Sequence, residues 1–221
     1  MGVVYTILML TPNELLVVLP FAFAAAVSPL LFTFALLVAT QKKQSLLKSS
    51  LFLLGSLIAI SIIGLVIFFA LAEVSPSTTY TTSDAYIDLA IGLLLVVFAA
   101  RQFVVKKPKK QKTNKNISSV EAFGLGLGFM MANSSTIIMF LPAAHLASYY
   151  STAVKLELLA IMIVFSLIPA IVPPVMLRLI ESQKIIESIK NFVNEKGRYI
   201  IAGVFGVLGI IEIVKALKGL F

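Results

Sequence analysis

Apolar runs long enough to cross a bilayer recur six times along the chain, at 15–39, 51–72, 85–105, 122–147, 158–177 and 199–217. A helix needs about 20 residues to traverse a hydrocarbon core of roughly 30 Å, and these runs supply them. The alternation of lumen-facing polar residues that marks a membrane barrel is missing, so backbone hydrogen bonds must close within helices. The pattern predicts an all-α integral membrane protein, a single membrane domain over 1–221 with six transmembrane helices. An additional amphipathic helix is predicted at 181–197, where Ile185, Ile186, Ile189, Phe192 and Val193 recur at helical spacing among Lys184, Lys190 and Lys196. The inner membrane surface is its expected seat and Gly197 its expected end. Residues 1–12 are expected at the interface. Nothing basic precedes the first run and no small-residue cleavage pattern closes it, so it reads as a span and not as a removable signal peptide.

Composition makes lipid the outer solvent, since 59% of the residues are hydrophobic and 13% are charged, against about a quarter charged in a soluble domain. The net charge of +8 takes its meaning from placement. Lys42, Lys43 and Lys48 follow the first run. Arg101, Lys106, Lys107, Lys109, Lys110, Lys112 and Lys115 follow the third, and Arg178, Lys184, Lys190, Lys196 and Arg198 follow the fifth. Those loops are expected in the cytoplasm. Segments 74–84 and 148–154 carry no basic residue and are expected outside, with both termini, in a multi-pass protein of the cell (cytoplasmic) membrane. Lys215 and Lys218 run against the rule, although Glu212 precedes Lys215 by one turn. Residues 106–118, which include KKPKKQKTNK, read as a basic cytoplasmic linker near anionic headgroups, and nucleic acid is not an expected partner. The absence of cysteine excludes disulfides, thiolate metal sites and a dithiol relay.

Three runs precede the linker and three follow it, so 1–105 and 119–221 are expected as two inverted three-helix repeats. AVSPLLFTF, from Ala26, aligns with ANSSTIIMF, from Ala132, and both polar interruptions fall mid-span. Pro29 removes a backbone donor, which predicts a kink or break near Ser28. Asn133, Ser134, Ser135 and Thr136 set four consecutive hydrogen-bonding side chains at bilayer depth, after Gly124, Gly126 and Gly128. Interhelical packing would account for an isolated serine. Four together, opposite a proline break in the other half, favour a pathway, and Ser28, Pro29, Asn133, Ser134, Ser135 and Thr136 are the candidate substrate-binding residues. Pro169, Pro173 and Pro174 predict bending or unwinding in the fifth span.

Charges within the runs are few. Asp88 reads equally as a solvated or paired carboxylate and as a coupling group; Glu212 reads first as a local partner of Lys215; His145, the single histidine, reads first as a capping or packing residue. All three are candidate coupling residues. Ser134 and Ser135 lie eleven and ten residues from His145, roughly 15 Å along a helix and too far for a serine–histidine nucleophile. No metal-ligand cluster or phosphate loop is present, so the chain is not expected to be an enzyme, and neither a metal nor a cofactor is implied.

The stretch VSPLLFTFALLVATQKKQSLLKSSLFLLGSLIAISIIGLVIF, from Val27, resembles the GAP-like, or sulfolipid-addressing, family of the lysine-exporter superfamily. LAIGLLLVVFAARQFVVKKPK, from Leu89, is similar to that family's third helix, and GLGFMMANSSTIIMFLPAA, from Gly124, to its fourth. The usual Asn-Pro-Lys of that helix is here Asn133, Ser134 and Ser135. The resemblance implies export across the cytoplasmic membrane, with lipids, glycolipids, amino acids or metal ions as cargo in various members. The expected function is a membrane exporter of a lipid-like or small amphiphilic substrate working by alternating access. The alternative is a non-transporting accessory subunit of a lipid-export or assembly complex. Membrane lipids and the substrate are the expected partners, and a homo-oligomer is compatible with either reading.

Overall fold

A computed structural model describes residues 11–41, 43–74, 80–104, 116–180 and 183–221. The basic tract at 106–115 and the expected interfacial stretch at 1–10 lie outside them. The described residues form eight helices and no strands: α1 (Pro12–Ala25), α2 (Pro29–Ala39), α3 (Ser45–Val74), α4 (Thr82–Val104), α5 (Ser119–Met131), α6 (Ser134–Ala147), α7 (Thr152–Leu179) and α8 (Gln183–Leu220). Within these, Ser45–Leu71, Thr82–Val104, Thr152–Leu179 and Glu195–Leu220 are each long and apolar enough to cross a membrane. The α1–α2 and α5–α6 pairs qualify jointly, bent by 48° and 53°. The chain is thus a membrane protein with four to six candidate spans.

Local chemistry sets both bends. Pro29 occupies the first turn of α2, where its missing N–H leaves no bond unmade, and the Ser28 side chain caps that turn by accepting from Leu31 N at 3.3 Å. α5 opens on a capping box, in which Ser118 Oγ accepts from Glu121 N and the Glu121 carboxylate accepts from Ser118 N. It stops at Met131, and Asn133 then stands at the head of α6.

Packing follows a repeated scheme. α1 lies on α6 and α7, and α5 lies on α2 and α3; α2 also touches α7, and α6 touches α3. α3 runs along α7, and α4 along α8. Exchanging α1, α2, α3 and α4 for α5, α6, α7 and α8 leaves this set of neighbours unchanged. Phe52 and Ile60 of α3, Met139 and Phe140 of α6, and Leu158 and Met162 of α7 are fully buried in one apolar core. α3 and α5 come together backbone to backbone at Gly55 and Gly126, and Ser56 Oγ donates to Gly126 O at 3.1 Å. Small residues permit such an approach where helices share an apolar solvent.

Two elements differ from their expected form. α8 continues through Gly197, because that glycine answers a packing need: a Cβ there would strike the Pro29 ring. α7 remains one helix despite Pro169, Pro173 and Pro174. Pro169 and Pro173 lie one turn apart on its buried side, where α2 and α3 hold it.

Candidate functional site

The two breaks meet. Thr136 Oγ1, in the first turn of α6, donates to Ala25 O at 3.1 Å, the carbonyl left open at the end of α1. Asn133 Nδ2 donates to Thr136 Oγ1 at 2.7 Å, and Ser135 Oγ donates to Asn133 Oδ1 at 2.8 Å. Asn133, Ser135 and Thr136 are buried, whereas Ser134 is exposed. These hydroxyls and the amide satisfy one another and a broken helix end, as polar groups in an apolar medium must.

Ser28 and Pro29 line a cavity of about 200 Å³ with Phe32, Pro169, Phe192 and Gly197. Its walls are almost wholly apolar. Asn133, Ser135 and Thr136 are not among the lining residues. The expected binding residues thus divide: Ser28 and Pro29 face an apolar cavity between α2, α7 and α8, and Asn133, Ser135 and Thr136 join α6 to α1 behind it.

The three coupling candidates come together at the other end of α4 and α8. Asp88 and His145 are each 1% exposed, with His145 Nε2 3.1 Å from Asp88 Oδ1. Lys215 Nζ approaches Asp88 Oδ2 at 2.8 Å and Glu212 Oε2 at 3.8 Å, and Tyr80 Oη donates to Asp88 Oδ2 at 2.8 Å. Since a carboxylate only accepts, the imidazole carries a proton on Nε2, and its buried Nδ1 has no partner. Tyr149 Oη lies 3.5 Å from His145 Nε2. Burial first, then the hydrogen bond and charge of Asp88, holds the Tyr80 phenol well above the usual range. Burial and the charges of Asp84 and Asp88 do the same for Tyr149. Both phenols therefore stay protonated.

This assembly joins α4 to α6 and α8. Sequence reasoning supplied Asp88, His145 and Glu212, with Lys215 as the local partner of Glu212, and missed Tyr80, Tyr149, Asp84 and the closer contact of Lys215 with Asp88. Lys215 had a visible signal, as a lysine on the side of the membrane where the charge rule expects few. Asp84, buried at the head of α4, accepts from Thr81 N and Thr81 Oγ1 at 2.7 and 2.6 Å.

The family model described as Sap, sulfolipid-1-addressing protein, matches residues 18–218. This chain belongs to that family. The match takes in both bends, the cavity and every member of the Asp88 cluster, so these features lie within what the Sap family model covers. Comparison with curated proteins gave no match, and comparison with solved structures gave none either.

Proposed function

We propose that this protein is an exporter, not an enzyme, and moves a lipid-like or small amphiphilic substrate across the cytoplasmic membrane by alternating access between two inverted three-helix repeats. The observation that carries this reading is the contact of the two breaks, through Thr136 and Ala25, beside an apolar cavity at Ser28 and Pro29. Discontinuous helices that meet at the midplane are how many secondary transporters build a pathway. The exchange-symmetric packing supports the repeat, and with it six spans. An apolar lining suits acyl chains better than a small polar solute. In this reading the Asp88, His145, Lys215 and Glu212 cluster clasps α4 to α6 and α8 at the outward end, and proton movement there couples to opening.

One observation favours an accessory role: both hydroxyl protons, of Ser135 and Thr136, and one of the two Asn133 amide protons are spent within the Asn133 group and on Ala25 O, which leaves a substrate few donors there. Reconstitution separates the two readings. Liposomes containing only the purified protein are expected to carry a short-chain fluorescent phospholipid between leaflets faster than protein-free liposomes. Folded protein that leaves that rate unchanged rejects the exporter reading and supports the accessory one.

A further inference from the structure

Where α3 and α5 begin, a cavity of about 730 Å³ opens between Lys43, Gln44 and Lys48 on one side and Asn116, Ser118 and Ser119 on the other. Gln41 Oε1 accepts from Ile117 N at 3.2 Å, which holds the 116–118 segment against the end of α2. Gln44, at φ 53°, turns the chain into α3.

Lys48 stands against the dipole of its own helix. It stands at the end of the first turn of α3, where the unpaired N–H groups already present partial positive charge, and that turn has no acidic residue. It is 7% exposed, and among the described residues its ammonium has no ion-pair or side-chain hydrogen-bond partner. The neighbouring Ser49 Oγ is buried without a partner as well. The nearby Glu121 carboxylate does not line the cavity, and it accepts from Ser118 N at 2.7 Å. The body of the Lys48 side chain is buried while its ammonium stays accessible on the cavity, where it draws an anion.

We propose that this cavity is an anion site that binds a phosphate or sulfate group, the chemistry shared by an anionic lipid headgroup and a free inorganic anion. Lys48 and Lys43 supply charge. Gln44 and Asn116 supply amide donors, Ser118 and Ser119 supply hydroxyls, and the N-terminus of α3 adds its dipole. The site stands apart from the cavity at Ser28, and it serves an exporter or an accessory module alike, so its failure leaves the transport reading untouched.

The test follows thermal unfolding of the purified full-length protein by circular dichroism. One arm titrates inorganic phosphate, and the other titrates phosphatidylglycerol against phosphatidylcholine in mixed micelles. A saturable rise in the unfolding midpoint is expected in at least one arm, with the apparent affinity at least tenfold weaker in Lys48→Gln and retained in Lys48→Arg and in Lys109→Gln. A rise with phosphatidylglycerol alone assigns the site to a lipid headgroup, and a rise in both arms assigns it to free anions too. If Lys48→Gln does not fold, Lys43→Gln is judged by the same tenfold criterion. No saturable rise in either arm, or an unchanged affinity in the glutamine variant, overturns the proposal.

Discussion

Both carboxylate oxygens of Asp88 are engaged, one by His145 and the other by Lys215 and Tyr80. The partners are not equivalent: the Lys215 Nζ is buried against Asp88, but its side chain is 34% exposed and long enough to swing the ammonium outward, whereas Asp88 and His145, each 1% exposed, have no such route. Removing one member of a buried pair strands the other, at about 3 kcal/mol or more, whereas a partly exposed pair contributes below about 1 kcal/mol. Asp88→Asn is therefore expected to lower the unfolding midpoint far more than Lys215→Met; equal losses would make the lysine, and not the histidine, the main partner. At this scale the sequence was half legible. It marked Asp88, His145 and Glu212 as charges out of place in apolar runs. It could not show that Asp88 meets a histidine 57 positions later and a lysine 127 positions later, since nothing local encodes such pairings. Along the chain Lys215 read only as the local partner of Glu212, one turn away, and not as a partner of Asp88.

Among the elements, glycine separates roles that look identical along the chain. Gly124, Gly126 and Gly128 alternate in α5, yet only Gly126 lies against the α3 backbone at Phe52, and a Cβ on Gly124 or Gly128 would meet nothing within 4 Å. Gly126→Ala must push α3 and α5 apart and strain the bond from Ser56, so a loss of about 2 kcal/mol is expected. Gly128→Ala is expected to be neutral or to stabilise by up to about 1 kcal/mol through helix propensity. Thermal unfolding of the two variants side by side checks this, and similar behaviour would mean that the α3–α5 contact is loose. Gly197 shows the opposite ambiguity, since a glycine that admits a neighbouring proline reads along the chain like a helix terminator. Breaks with a local cause were legible: Ser28 before Pro29 marked one bend, and the Asn133 to Thr136 run marked the other. The continuity of α7 through its three prolines depends on its neighbours and left no mark in the sequence.

For the molecule as a whole, hydrophobic run length alone defined an all-helical membrane protein, because lipid leaves the backbone few alternatives. What run length left open is how the interior is divided. The Asn133 group fastens α6 to α1, and the cavity is walled instead by the break at Ser28 and by residues of α2, α7 and α8 that are distant in sequence. The central claim is that the break at Ser28 lies on a path open in turn to each face of the membrane. The native lack of cysteine permits a direct measurement, the rate at which Ser28→Cys reacts with an impermeant thiol reagent in right-side-out and in inside-out vesicles. Reaction from both faces is predicted, with Ala35→Cys, buried within α2, unreactive from either. Protection of Ser28→Cys from both faces, or reaction from one face only, would contradict alternating access at this site.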